Sequence, residues 1–281
     1  MLHRVGIFFF LGLFALACVP SLGARGEDAV RLDGPLVQGG LVRGFAPARA
    51  RVTLDGAVVP VAEDGRFLLG FGRDHRANSV LEVRLPGGAS LRRELGIEQR
   101  SYDTRRVAGL PPRLVNPDAE GLRRIAADRA RIVAVRAAPP TPPVFASGFA
   151  WPALGPVSGV FGSQSIMNGE ARAPHNGVDV AAAIGAPVGA MADGTVVLAE
   201  HDMYLTGQSV LLDHGLGLNS VYIHLSEIAV AVGARVGKGQ IIGRVGGTGR
   251  VTAPHLHWGV NLGQTALDPA LLVGPMPPLA Q

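Results

Sequence analysis

Two hydrophobic rhythms divide the chain. From Arg51 the sequence alternates apolar and polar positions with a period of two. Arg51-Val52-Thr53-Leu54 runs into Asp55-Gly56, and Ala57-Val58-Val59-Pro60-Val61 resumes beyond it. Asp-Gly between alternating stretches signals a tight hairpin, whose central residues both take positive φ. Asp64-Gly65 repeats the signal ahead of Phe67-Leu68-Leu69-Gly70-Phe71, and residues 79–85 alternate once more before Pro86-Gly87-Gly88. Short strands at this spacing predict a small β-sandwich over residues 27–100.

Residues 117–137 change to a period near 3.6. Leu122, Ile125, Ala126, Arg129, Ile132 and Val133 form a partly apolar helical face. Pro117 suits the first helical position and Asn116 the cap. The run Ala137-Ala138-Pro139-Pro140-Thr141-Pro142-Pro143 stops the helix and reads as a stiff spacer. Residues 101–145 are therefore expected as a linker carrying one helix, with the main domain boundary at the proline run. From Phe149 the β rhythm returns in 194–199, 209–213 and 220–224, and two Gly-centred turns in 232–240 precede Ile241-Ile242-Gly243. The rear domain, 146–281, is expected as an antiparallel sheet, and the whole chain as mainly β.

Composition adds a compartment. Hydrophobic residues make up 47% and charged residues 17%, which favours a globular chain over a disordered one. Arg4 precedes an apolar run of 13 residues, Val5–Ala17, shorter than the ~20 needed to span a bilayer. Small residues follow it, so residues 1–26 read as a cleaved export signal, with no membrane span after its removal. Cys18 is the only cysteine, which excludes an internal disulfide. Ala17 before it leaves a lipid anchor at Cys18 open. Ala15 stands where such signals usually carry leucine, and the expected outcome is cleavage beyond Cys18.

The net charge of +4 is split between halves: residues 27–145 hold 19 Arg and 14 acids, whereas 146–281 hold five cations and eight acids. Acids and arginines alternate in the front half, as on a mixed solvated face. No basic stripe interleaved with aromatics points to nucleic acid.

The chemistry concentrates at the back. Six of the eight histidines lie in the last 107 residues. Four of them sit in His175-Asn176-Gly177-Val178-Asp179, Tyr222-Ile223-His224 and His255-Leu256-His257. His175 and Asp179 are four apart, but Gly177, Val178 and Val180 disfavour a helix. A bent loop with Gly177 letting the backbone curl would bring both to one ion. His255 and His257 are two apart, which in a strand places both on one face. Taken singly, each motif also fits a capped loop, a core histidine or a strand surface pair. A catalytic zinc site takes three N/O ligands and leaves a position open, and the set offers one carboxylate and four imidazoles.

In order, and with Phe161-Gly162, Asp193-Gly194, Asp213-His214-Gly215, Gly247-Thr248-Gly249 and Pro254-His255-Leu256-His257-Trp258, these motifs resemble the M23 family of zinc metallopeptidases, the lysostaphin-like cell-wall endopeptidases. The resemblance covers roughly residues 148–270, with no departure at a functional position. The front sandwich loosely resembles the immunoglobulin-like modules that precede peptidase domains in some secreted bacterial proteins. The resemblance implies that His175, Asp179 and His257 hold Zn2+, leaving a net charge of +1, and that His224 and His255 are the catalytic histidines. It also implies metal-assisted hydrolysis of peptide bonds in peptidoglycan stem peptides or cross-links; the export signal and the Arg-rich, Lys-poor usage point to the periplasm of a Gram-negative envelope.

Two rivals come from other classes. A non-catalytic activator or binding module for another wall hydrolase would be expected to lose ligands, and here the set is complete. A lipoyl- or biotinyl-carrier hairpin would share the rhythm of Val230–Gly246, but Lys238, the only lysine, lacks flanking methionines. Among the remaining residues, His214 reads as a turn support, His201 as a solvated loop residue, His75 as surface, and Tyr204 as either a groove wall or a packed loop residue.

Overall fold

The computed structural model describes residues 29–108 and 117–278. The expected export signal with Cys18, and the expected cap Asn116, lie outside them. The fold is mainly β: a large, mostly antiparallel rear sheet preceded by a small two-sheet sandwich and one linking helix.

The front sandwich holds seven strands: β1 (Arg31–Asp33), β2 (Leu41–Phe45), β3 (Arg51–Leu54), β4 (Ala57–Val59), β5 (Arg66–Gly70), β6 (Asn78–Arg84) and β7 (Ser90–Gly96). They form two sheets, ordered β1-β2-β5 and β4-β3-β6-β7. Val42, Phe67 and Leu69 from one sheet meet Val52, Leu81, Val83 and Leu95 from the other in a single core. The hairpin between β3 and β4 turns at Asp55 (φ 52°) and Gly56 (φ 81°), the double positive φ that Asp-Gly was expected to supply.

Residues 101–145 are more than a linker. Thr104–Val107 forms β8, which pairs in parallel with β10 (Gln164–Met167), and β10 pairs with β11 (Glu170–Ala171). Helix α1 spans Ala119–Arg136, and its cap is Asp118, whose side chain accepts the Gly121 N–H. An aspartate displaces the expected Pro117 start because it offers the acceptor that the free N–H groups need. The buried face is also rotated from the expected one. Ile132 and Val135 pack under the helix, whereas Leu122 and Val133 stay exposed. Close approach fixes this rotation: a Cβ on Gly121 would lie 2.6 Å from Tyr204 Oη. The proline run is laid along the rear sheet, where Leu216 N donates to Thr141 O (2.8 Å) and Val144 N to His214 O (3.0 Å).

Apart from β10 and β11, the strands of the rear domain form one ten-stranded sheet. Its strands are β9 (Val157–Gly159), β12 (Val178–Val180), β13 (Pro187–Gly189), β14 (Gly194–Met203), β15 (Gly207–Gly215), β16 (Leu218–Ile228), β17 (Arg235–Val236), β18 (Ile241–Val245), β19 (Leu256–Leu262) and β20 (Thr265–Leu267). Its main path runs β17-β14-β15-β16-β19-β12-β9. Val180, Val196, Leu212, Tyr222, Trp258 and Val260 fill the main core with no exposure. Leu211, between Val210 and Leu212, points the other way and packs under α1 with Leu198 and Met203. Among the described residues no helix is long and apolar enough to cross a membrane.

Candidate metal centre

Strand alternation builds the site. On β12, Val178 and Val180 are buried in the core, so Asp179 between them faces the opposite side. On β19, Leu256 and Trp258 are fully buried, which turns His255 and His257 to that same outer side. Registry then brings the groups together. Asp179 sits directly across from His257, and on its other flank from Gly159 of β9. His175 arrives from the loop before β12, its amide bonded to Ser163 O and its carbonyl to the Gly162 amide (both 2.8 Å). Gly177 acts through space rather than through curl. Its φ is not positive, and a Cβ there would lie 2.4 Å from Trp258 O and 2.8 Å from His257 Nε2.

His175, Asp179 and His257 converge as a three-donor group. His175 Nε2 lies 3.0 Å from Asp179 Oδ1 and 2.9 Å from His257 Nδ1, and the last pair, His257 Nδ1 to Asp179 Oδ1, is 2.8 Å apart. Donors held at ~2.0–2.1 Å by a tetrahedral metal stand roughly 3.3 Å apart, so the triangle needs to open by only a few tenths of an ångström. The N, O, N donor set suits a borderline cation of that kind. Each of the three side chains keeps 14–23% exposure, leaving the group open on one side.

The other two histidines flank the triad. His255 Nε2 is 3.7 Å from Asp179 Oδ1. The His224 and His255 rings are 4.9 Å apart, and the His224 and His257 rings 6.4 Å. Three backbone carbonyls set the ring orientations. Val160 O faces His175 Nδ1 (3.0 Å), Thr248 O faces His224 Nδ1 (2.9 Å), and Ala253 O faces His255 Nδ1 (2.9 Å). A carbonyl can only accept, so each Nδ1 carries a hydrogen and each ring is held by that nitrogen, with Nε2 left for the site. These carbonyls escaped the sequence reading because a backbone acceptor leaves no mark in residue identity.

His224 was expected on a plain strand. Instead its φ is +64°, at a break in the β15–β16 register between Gln208 and Val210. A non-glycine residue held there stores strain and re-aims its side chain. His224 N donates to Thr206 O (2.9 Å). Thr248 Oγ1 accepts from Gln208 N (2.9 Å) and donates to Leu225 O (2.7 Å). The β14–β15 tip and the 246–251 loop are thereby stitched around the ring.

Charge within the group is strongly coupled. Burial alone would raise the Asp179 carboxyl, but hydrogen bonds from His175 and His257 and their charges hold it far below the usual carboxylate range. Burial pulls His175 down, yet the Asp179 bond and charge outweigh it and leave it raised. Burial lowers His257. It also lowers His224, to about 4, helped by the neighbouring His255 and His257.

The remaining candidates lie elsewhere. His214 is fully buried, with Nδ1 2.7 Å from Asp193 O and Nε2 2.8 Å from Ser220 Oγ. Tyr204 packs on α1, its amide donating to Asp128 Oδ2 (2.7 Å) and its ring facing Arg124. His201 is exposed. Lys238 is tied into its turn through Ser147 and Asp193. His75 is not the surface residue expected. It is half-buried, with Nε2 2.6 Å from Ser79 Oγ and its ring edge-on to Phe71, because the loop before β6 folds back over the sandwich core.

Residues 173–269 match Peptidase family M23. Peptidoglycan DD-endopeptidase ShyA of Vibrio cholerae is 49% identical over 86 residues, 31% of this chain and 20% of that protein. DD-carboxypeptidase/endopeptidase Mpg of Neisseria meningitidis is 38% identical over 107 residues, 38% of this chain and 24% of that protein. The chain thus spans about a fifth to a quarter of the length of these curated relatives. A crystal structure of a peptidase M23 from Pseudomonas aeruginosa superposes with a TM-score of 0.62 at 29% identity, covering 85% of this chain and 94% of that one.

Proposed function

The chain carries a domain of peptidase family M23, and on that premise we propose that it is a zinc metalloendopeptidase cleaving peptide bonds in peptidoglycan stem peptides or cross-links. One observation supports this above the rest: His175, Asp179 and His257 form a compact N, O, N triangle with two further imidazoles beside it. An inert binding module would have no use for that surplus. His175, Asp179 and His257 are the proposed zinc ligands, and His224 and His255 the proposed catalytic residues.

Zinc in such a site supplies Lewis acidity, polarising a carbonyl and acidifying water. The chain's own residues do the rest. Asp179 enters the site as the carboxylate, because two histidines hold its proton off. Val160 orients His175 through Nδ1, the supporting role that ligand histidines usually require. His224 and His255, each held through Nδ1 by a backbone carbonyl, leave Nε2 free to act beside the triad. There one accepts a proton at Nε2 during attack and returns it to the leaving amine, while the other, carrying a proton on Nε2, donates to the carbonyl oxygen as charge develops. No glutamate lies in the donor group, so imidazoles carry the base role.

The relatives named as DD-endopeptidases narrow the proposed bond to D-Ala–diaminopimelate cross-links. They also support an exported, periplasmic location in a Gram-negative envelope. The test is digestion of purified sacculi by the zinc-loaded chain, read by mass spectrometry of the released muropeptides. Cleaved cross-links are the expected result. Intact sacculi with stoichiometric zinc bound would point instead to an activator or binding module.

A further inference from the structure

We infer that the front sandwich and the segment after it are a working part of the metal centre, with Arg73 and Tyr102 positioning His175 from outside the peptidase domain. This rests on the metal-ligand reading of His175 above.

His175 hangs on the segment 160–163 by three hydrogen bonds. Val160 O takes its ring, the Gly162 amide its carbonyl, and Ser163 O its amide. That segment is in turn held from the front half. Arg73 Nε donates to Gly162 O at 2.7 Å. The Tyr102 ring lies flush against Gly162, where a Cβ would come within 2.1 Å of Tyr102 Cδ1. The Tyr102 ring also meets Phe161 edge-on at 6.2 Å. Two guanidiniums attend that ring, Arg73 at 4.6 Å and Arg100 at 5.2 Å. Arg100 is itself anchored to Asp268 Oδ2 of the rear domain at 2.8 Å. Gly162 has φ +82°, a conformation open to glycine and adapted to this contact. A continuous path therefore runs from Arg73 and Tyr102, through the Gly162 peptide, to the backbone and ring of His175.

The hydroxyl of Tyr102 is buried without a hydrogen-bond partner. The ring face, and not the hydroxyl, makes the contact. This separates positioning from general polarity: phenylalanine should serve as well as tyrosine, and alanine should not.

The experiment uses the full chain in three variants, Tyr102→Ala, Tyr102→Phe and Arg73→Gln. Amide hydrogen exchange at Gly162 and His175 is measured in metal-free protein, and zinc affinity by competition with a chromophoric chelator. Tyr102→Ala and Arg73→Gln should speed exchange at those two amides while leaving β14–β16 unchanged. They should weaken zinc binding about 10–100-fold, the usual loss when a ligand's supporting partner is removed. Tyr102→Phe should match the parent in both. Unchanged exchange at His175, or a uniform acceleration across the sheet with unaltered zinc affinity, would overturn the inference and leave a plain docking contact. If Tyr102→Ala fails to fold, Arg73→Gln decides, since it keeps a polar side chain at this half-buried position and removes only the guanidinium's bond to Gly162, its place over the Tyr102 ring and its pairing with the exposed Asp74. A parent chain that binds no zinc would sink the proposed function, while the exchange arm still judges the clamp.

Discussion

Substituting Gly159 by alanine sets one methyl group against the metal centre. An ideal Cβ at this position lies 2.3 Å from Asp179 Oδ2 and 2.9 Å from Asp179 Cγ. Comfortable non-bonded contact needs roughly 3.5 Å, so the carboxylate must retreat by about 1 Å. Metal–ligand distances in a sound site hold to within about 0.2 Å of their usual values. Asp179 Oδ1 would then leave the triangle whose edges are now 2.8–3.0 Å. Disturbing a ligand in this way costs about 10–100-fold in affinity, or ~1.4–2.7 kcal/mol. The metal-free fold should survive, because Gly159 lies on the edge strand β9 without positive φ. The assay is chelator competition for zinc, beside thermal melts of metal-free parent and variant. A Gly159→Ala protein whose zinc affinity stays within about threefold of the parent, a difference under ~0.7 kcal/mol, would refute the reasoning.

Three further outcomes follow from the same geometry. His255→Ala should retain zinc and lose hydrolysis, whereas His257→Ala should lose zinc. Metal analysis of both purified variants checks this, and the reverse pattern would mean their roles are exchanged. Thr248→Val leaves the Gln208 amide unpaired beside His224 and should cost about 1–3 kcal/mol in chemical denaturation, with reduced turnover; a loss under ~0.5 kcal/mol would discount the stitch. His214 is lowered by burial, so the unfolded chain takes up its proton first, near pH ~6.5. Its neutral form thus favours the fold above that pH, and this contribution is lost as pH falls towards the lowered folded value. The melting temperature of the parent should therefore drop more between about pH 7 and 5 than that of His214→Asn, and equal slopes would exclude His214 as a source.

Much of the fold was legible because local rules and burial agree. Asp55-Gly56 gave the hairpin, and the spacing of His255 and His257 gave a shared face. What was illegible depended on partners distant in sequence. β7 is rich in arginine and glutamate and half-solvated, so its alternation is faint. β8 is only four residues long and exists by pairing with β10, some sixty positions away. The rotation of α1 is fixed by Tyr204, which no helical periodicity reports. At the site, side chains were readable and their supports were not. The carbonyls of Val160, Thr248 and Ala253 act through the backbone, and the positive φ of His224 opposes its type. Gly159 was overlooked because its function is an absence of atoms opposite Asp179.

Helix α1 closes a second apolar face of the rear sheet over Leu198, Met203 and Leu211. A protein engineer cutting the chain at the proline run would therefore not free a tidy catalytic cassette. The excised piece would present that greasy surface to solvent, beside a β10 edge stripped of its β8 neighbour, and would tend to self-associate. Swapping hydrolase modules between proteins at this position should succeed only when the graft begins upstream of β8 and carries the helix with it.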